Sequence, residues 1–299
     1  MQQRGYKWIA DEMEKLDPYT DYADIWKLST CYYVNDFMMN YLYTSAFTHF
    51  ILPPYGGETV VKTGKVIKHQ DTRADDTLHH FWIWFEHGPN SNETAQSVGD
   101  VNKIHAALWK RMPGNFAHDD DFVYAMCWLA VEMHRLRLRV GLAGYTEQQK
   151  IAFHKYCYEL SKLFVSENGP ITDQVPDSFE GMLEFADKYE ATNWEHSPEG
   201  QLAAEALIDQ FANRWFPRGA RWIGRSMMLS LLDEPCRRVH RIPTPNRFTI
   251  KFFEFGFKSI LWAKEKVLPD PKMTTPERHR RKAIAKPTPN DRPHSVHAA

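Results

Sequence analysis

Arg73 and Thr77 stand four residues apart in a segment of helical period that runs from Val66 to His87. Because residues four apart share one face of an α-helix, a guanidinium and a hydroxyl are expected one turn from each other. His105 belongs to a second helical run, from Gln96 to Met112, where it interrupts an apolar stripe. An imidazole among apolar side chains, facing a guanidinium and a hydroxyl, is the chemistry of a haem-iron site.

Each of these residues also has an ordinary structural interpretation. His105 could be a core histidine that is hydrogen-bonded to a carbonyl. Arg73 could be an exposed cation, with Thr77 bonding back to its own helix. Its partner would then be one of the nearby aspartates Asp71, Asp75 and Asp76. His134, which has charged neighbours, is the competing candidate for an axial ligand.

The order and spacing of several motifs resemble one family of haem-dependent oxygenases. That family includes the bacterial rubber oxygenase (latex clearing protein) and the ER-bound oxygenase of mycophenolic acid biosynthesis. The matching motifs are Arg-x-x-x-Thr at 73–77, Val-x-x-Ile-His-x-x-Leu at 101–108, and the segments 141–146, 215–222 and 229–235. The similarity spans roughly residues 35–265.

The resemblance implies a b-type haem with His105 as its proximal ligand, and with Arg73 and Thr77 on the other side. It also implies a globin-like helical core and the oxidative cleavage of a carbon–carbon double bond by dioxygen, in an apolar, isoprenoid-like substrate. Rubber oxygenases carry lysine where this chain has Asp76. Because aspartate cannot serve as the same neutral nitrogen ligand, Asp76 is expected to act as a base or to pair with Arg73, and rubber itself is not the expected substrate.

Five further side chains are predicted to contact the haem. They are His80, Trp84, Val101, Leu108 and Arg135. The first two follow Thr77 on the same helix face, the next two flank His105, and the arginine could pair with a propionate. The alternative for the aromatic stripe is the packed core, and the alternative for the arginine is solvated charge.

The composition limits the class of protein. The chain has 299 residues, of which 25% are charged and 14% aromatic, as in an ordinary globular enzyme. Its net charge of −1 gives no electrostatic reason to expect nucleic acid as a partner. No apolar leader segment and no apolar run long enough for a membrane span is visible, so a cytoplasmic location is expected.

The four cysteines are widely spread and form neither CxxC nor the CxxCH motif that attaches haem covalently. Three of them sit in helical apolar patterns, where a buried, reduced thiol is expected. The spacing therefore predicts free cysteines in a reducing compartment.

Nearly every periodic stretch of the sequence predicts helix, so we expect an all-α domain over residues 1–269. One short extended piece is predicted at Thr59–Lys62. Residues 270–299 are rich in Pro, Lys, Arg, Thr and His, with seven Lys and Arg against three Asp and Glu, and are predicted to form a disordered basic tail. The predicted helices cover about 20–50, 66–87, 96–112, 121–140, 146–167, 178–191, 199–216, 220–232 and 247–267.

Two other functions compete with the oxygenase. A di-iron bundle is disfavoured because the chain contains no Glu-x-x-His pair. A non-enzymatic helical haem or lipid-binding protein would keep the apolar pocket without needing Arg73 and Thr77. The Phe-rich stretch at 247–264 could contact a membrane surface weakly or line a substrate tunnel, and its alternative is a buried amphipathic helix.

Overall fold

The computed structural model describes residues 5–285, and it confirms the all-α prediction. Within that range there are fifteen α-helices and one two-residue strand pair. The first eight helices are α1 (Trp8–Met13), α2 (Tyr22–Thr30), α3 (Asp36–Phe50), α4 (Pro54–Thr63), α5 (Lys65–Lys68), α6 (Gln70–His87), α7 (Asn92–Trp109) and α8 (Asp119–Arg139). The remaining seven are α9 (Glu147–Ser161), α10 (Phe179–Ala191), α11 (Pro198–Trp215), α12 (Arg221–Leu231), α13 (Glu234–Val239), α14 (Arg247–Lys266) and α15 (Thr275–Ala285).

Several helix starts follow from capping side chains. Thr146 accepts from the backbone of Gln149, whose side chain returns to the Thr146 backbone, and this capping box begins α9. Ser178 caps α10 by accepting from the Gly181 N–H, without a capping box. Asn35 caps α3 and thereby divides the predicted 20–50 helix into α2 and α3.

The predicted strand at Thr59–Lys62 is wrong, because these residues lie in α4. Pro53 and Pro54 start that helix, and Thr59 donates its hydroxyl proton to the Tyr55 carbonyl 2.8 Å away. Gly57 lets α4 approach α11 closely, since a Cβ there would stand 2.5 Å from the Gly200 backbone. The strand pair lies elsewhere, between Val165–Ser166 and Gly169–Pro170.

Helix α8 packs against α3, α9 and α10 and forms the centre of the molecule. An aromatic cluster beside it is built on Trp26, which stacks on Tyr156 at 4.1 Å between ring centroids and lies 4.6 Å from Phe153. The cysteines agree with their prediction, since all four are buried and free. The globin-like arrangement of this core stays a prediction.

The disordered tail that the sequence predicts from residue 270 does not begin there. Asp270 is buried and accepts from the Ile9 N–H and the Tyr33 hydroxyl, both at 2.8 Å. Helix α15 follows, and Arg280 on it forms a double hydrogen bond with Glu86. The segment was predicted to be disordered because it contains few apolar residues. The polar contacts that order it join residues far apart in the sequence, and composition carries no information about such contacts. Residues 286–299 of the predicted tail lie outside the described residues.

None of the helices within residues 5–285 is long and apolar enough to cross a membrane.

Candidate functional site

Helices α6 and α7 form a helical hairpin that sets the register of the predicted site. Gly88, with φ of 79°, ends α6, and Ser91 caps α7 by accepting from the Thr94 N–H at 3.1 Å. A φ in this range favours glycine, so the turn depends on Gly88. The short loop folds α7 back along α6, and the two helices pack together.

Ser97 on α7 joins the two helices. Its hydroxyl oxygen accepts from the Trp84 indole N–H at 3.0 Å and lies 2.7 Å from Nδ1 of His80. Arg73 lies seven residues before His80, and His105 lies eight residues after Ser97. At 1.5 Å of rise per residue, Arg73 and His105 are each about 11 Å along their helices from the Ser97 contact. Because α7 runs back along α6, both lie on the side away from the Gly88 turn and at the same level of the hairpin.

Arg73 is half-buried and has an unusual set of contacts. Its guanidinium donates to the Thr77 hydroxyl, which in turn donates to the Arg73 carbonyl at 3.0 Å. The guanidinium also lies 4.6 Å from the centroid of the Phe47 ring, in cation–π geometry. Within the described chain Arg73 forms no ion pair with any carboxylate. The aspartates proposed as its partners are bound elsewhere, since Asp75 pairs with Arg214 at 2.7 Å.

His105 lies among aromatic rings at the same level. Its ring centroid is 5.1 Å from that of Phe116 and 5.8 Å from that of Phe122. Burial, with a further contribution from the nearby positive charge of Arg73, lowers the pKa of His105 to about 4. Its buried Nδ1 has no hydrogen-bond partner among the described residues, so the predicted alternative of a carbonyl-bound core histidine is not observed.

The chemistry of these side chains is compatible with the group that the sequence predicts. A metal needs a neutral imidazole, and the lowered pKa keeps His105 neutral at physiological pH. A buried nitrogen without a partner is costly unless some ligand satisfies it. The unpaired guanidinium of Arg73 favours an anionic group close by. A haem offers both iron and propionates, and its binding at this place stays a prediction.

Val101 and Leu108 are half-buried on either side of His105, and their contact with a haem stays a prediction. Asp76 is not where the sequence places it. The side chain is exposed and pairs with Lys65 at 3.0 Å, rather than with Arg73. The helical turn that directs Arg73 and Thr77 inward directs the intervening Asp76 outward. Its predicted role as a catalytic base therefore finds no support in its position.

His80 and Trp84 have a structural role in addition to any contact with a ligand. Both use a ring nitrogen to bind Ser97, and Trp84 is buried. Burial is the main cause of the lowered pKa of His80, and the neighbouring His79 lowers that pKa further. These two side chains therefore hold α6 and α7 in register, which positions Arg73 opposite His105.

Arg135, predicted to bind a haem propionate, lies in a separate polar cluster between α8 and α10. Its guanidinium forms a two-pronged hydrogen bond with Glu190, with Nη1 to Oε1 at 2.7 Å. Tyr124 donates to the same carboxylate at 2.7 Å. A guanidinium that binds a buried carboxylate through both Nη atoms has little capacity left for a propionate. The predicted propionate contact is therefore corrected to an ion pair within the protein.

The cluster contains three potential metal ligands that the sequence reasoning missed. One nitrogen of His49 and one oxygen each of Glu190 and Asp233 lie within 4.8 Å of one another. Above them opens a cleft of about 470 Å³, lined in part by Asp187, Glu234 and Arg238. Only the position of Asp233 in the segment 229–235 could have indicated it, since His49 and Glu190 sit in apolar helical patterns.

The charges favour an ion-pair network over a metal centre at this cluster. Arg135 holds Glu190, and Arg139 pairs closely with Asp233. Burial would lower the pKa of His49, but Cys236, Glu190 and Glu132 outweigh it and raise that pKa to about 9. A protonated imidazole is not a metal ligand, and two adjacent guanidiniums repel a cation.

His134, the competing axial ligand, also has its ordinary partner. Its Nδ1 accepts from the Tyr145 backbone N–H at 2.9 Å. Gly144 packs so closely on the ring that an added Cβ would lie 2.4 Å from the ring carbon Cε1. The imidazole therefore stabilises the turn before α9, and His105 remains the better candidate for iron.

A small interior cavity of about 40 Å³ lies farther along α6. Phe81 and Phe85, which continue the stripe of Arg73 and Thr77 at four-residue steps, form part of its wall. Glu132 lines it as well, with both carboxylate oxygens buried and without hydrogen bonds in the described structure. This volume is far below the several hundred Å³ of a pocket for a cofactor. Neither this cavity nor the open cleft is lined by His105.

No family model matches the chain, and no curated protein matches it at a significant level.

Proposed function

We propose that this protein binds a b-type haem through His105 and uses dioxygen to oxidise an apolar, unsaturated substrate. The observation that carries the proposal lies at one level of the α6–α7 hairpin. There the half-buried, neutral imidazole of His105 has a buried Nδ1 without a hydrogen-bond partner, and the half-buried guanidinium of Arg73 has no ion-pair partner among the described residues. The resemblance of motifs adds the reaction class, which is the oxidative cleavage of a carbon–carbon double bond.

Each residue has a defined role in this proposal. His105 would hold the iron, and the aromatic rings of Phe116 and Phe122 pack beside its imidazole. The haem, when bound, supplies the activation of dioxygen. Arg73 provides a fixed positive charge for developing negative charge or for a propionate, and the Thr77 hydroxyl holds that guanidinium in place.

The apolar surroundings favour an apolar substrate. Phe47 lies against Arg73, and the half-buried Phe81 lies one turn beyond Thr77. Aromatic side chains of this kind bind flat or elongated hydrocarbon chains through the hydrophobic effect. An isoprenoid-like alkene is the substrate class that fits both this lining and the motifs.

The first test is optical. The purified protein, produced with a haem supply, should show a Soret band in its oxidised and reduced states. His105→Ala should lose the band, whereas His134→Asn should retain it and serves as the matched control. Absence of the band from the folded wild-type protein, or full haem content in His105→Ala, would refute the proposed ligand.

The second test separates an enzyme from a carrier. Dioxygen uptake is measured with a panel of isoprenoid alkenes, on wild-type protein and on Arg73→Gln. Uptake that depends on an alkene and falls in the variant supports the oxygenase. A haem-loaded protein that consumes no dioxygen with any alkene would instead be a haem or lipid-binding protein.

A further inference from the structure

Helix α14 presents an outward face that is largely apolar. Phe248, Phe252, Phe255 and Trp262 recur at helical spacing and form one stripe. Their side chains are 83%, 63%, 70% and 51% exposed, which is unusual for residues of this size. We call these four residues the apolar face of α14. The sequence alternative of a buried amphipathic helix is not observed for this face.

The opposite side of the same helix is anchored in the protein. Phe257 and Leu261 are buried, and the Phe257 ring packs against Tyr41 with 5.4 Å between centroids. Helix α14 also packs along α12. The exposed aromatic rings are therefore carried on a fixed, folded helix, and their exposure does not come from a frayed segment.

Three basic side chains flank the apolar face of α14. Arg247, Lys251 and Lys258 lie at four- and seven-residue steps along one edge of the stripe. The acidic residues of the helix are already neutralised, since Glu254 pairs with Lys251 at 2.6 Å and Glu265 pairs with Arg137.

Five cations on α14 and on the segment that leads into the adjoining α12 have no ion-pair partner in the part of the chain that the structure describes. They are Arg247, Lys258 and Lys266 on α14, and Arg218 and Arg221 at the start of α12. Trp222, which follows Arg221 in the sequence and is 67% exposed, adds a further aromatic ring. The surface therefore combines unsatisfied positive charge with exposed aromatic side chains.

We propose that the apolar face of α14 docks on the surface of a membrane that contains anionic lipids. Aromatic rings would enter the region between head groups and acyl chains, while the lysine and arginine side chains would meet the lipid phosphates and carboxylates. A membrane fits better than a protein partner because the cores of protein interfaces are depleted of lysine, whereas interfacial helices combine Phe and Trp with a basic flank.

The test is co-sedimentation of the full chain with vesicles of phosphatidylcholine alone and of phosphatidylcholine with phosphatidylserine. Wild-type protein should bind the vesicles that contain phosphatidylserine, and binding should weaken as salt screens the charges. Phe248→Ser, Phe252→Ser and Phe255→Ser together should lower the partition coefficient about 100-fold or more. Lys258→Gln and Lys266→Gln should each lower it about fivefold.

A matched control removes exposed apolar residues from other helices. Ile67→Ser on α5 with Leu202→Ser on α11 should bind vesicles as the wild type does. Circular dichroism and thermal unfolding confirm that all variants are folded, as expected for exposed positions.

Three results would overturn the proposal. The first is that wild-type protein binds neither kind of vesicle at low salt. The second is that the triple Phe variant binds as well as the wild type does. The third is that the triple Phe variant binds as well as the Ile67/Leu202 control. Light scattering tests the alternative that the apolar face of α14 binds a second copy of the chain. A wild-type dimer that becomes monomeric in the triple Phe variant, without vesicle binding by either, would assign the face to self-association.

Discussion

Arg73 and Thr77 hold each other across one turn of α6. The guanidinium donates to the threonine hydroxyl, and the hydroxyl donates back to the arginine carbonyl. This mutual contact fixes a charged side chain that has no carboxylate partner in the described structure. The guanidinium is therefore held in place without an ion pair to a carboxylate of the described structure.

Thr77→Val removes the hydroxyl that holds the Arg73 guanidinium and keeps the shape of the side chain at position 77. We expect alkene-dependent dioxygen uptake to fall about tenfold, since a hydrogen bond to a charged group contributes about 1.5–3 kcal/mol. Thr77→Ser keeps the hydroxyl and should retain most of the activity. Equal activity in the valine and serine variants would show that the hydroxyl does not position Arg73.

Arg73→Gln should raise the pKa of His105, because the positive charge of Arg73 contributes to lowering it. Burial is the larger cause, so the pKa should stay below the ordinary value near 6.5. An NMR titration of the His105 ring in the haem-free protein measures the shift. Arg214→Gln is the control, since Arg214 pairs with Asp75 on the outside of α6 and should leave the titration unchanged. An unshifted pKa in Arg73→Gln would contradict the proximity of the two residues.

The stability of the haem-free protein should depend on pH through His105. Its pKa is about 4 in the folded chain and near 6.5 in the unfolded chain. The contribution is therefore fully present above pH 6.5 and is lost as the pH falls through 4, with an upper limit of about 3 kcal/mol.

The test is denaturant unfolding of wild type and His105→Gln at pH 7 and at pH 4. The comparison separates the contribution of His105 from that of His240, whose pKa burial also lowers to about 4. The wild-type free energy of unfolding should fall more steeply with acid than that of the variant. Parallel curves would mean that His105 is not buried in its neutral form.

Breaking the Arg135–Glu190 pair should affect folding and leave the haem site intact. Arg135→Met leaves a buried carboxylate without its partner and should cost about 3–5 kcal/mol of unfolding free energy. Arg225→Gln removes an ion pair at the surface, with Glu205 and Asp209, and should cost less than about 1 kcal/mol. The haem content of folded Arg135→Met should equal that of wild type. A selective loss of haem would restore the propionate role that the sequence predicts.

Local pattern predicts the helices of this chain well, because periodicity and capping residues act over short distances. The predicted segments 178–191 and 199–216 differ by one residue at each end or less from α10 and α11. The placement of Arg73 and Thr77 on one face also follows from spacing alone.

Contacts between distant segments are what the sequence could not predict. Glu190 reaches Arg135 across the core, from 55 residues away in the sequence. The attachment of residues 270–285 depends on Asp270 meeting the backbone of Ile9, which lies 261 residues away in the sequence. No periodicity carries information about such pairs.

The most direct test of the account is a haem titration of the apoprotein with chemical rescue of the ligand. Wild type should bind one haem per chain and give the spectrum of an imidazole-ligated iron. His105→Gly should bind haem weakly and without that spectrum, and added free imidazole should restore it. A His105→Gly protein that gives the wild-type spectrum without imidazole, or a folded wild-type protein that binds no haem, would contradict the central claim.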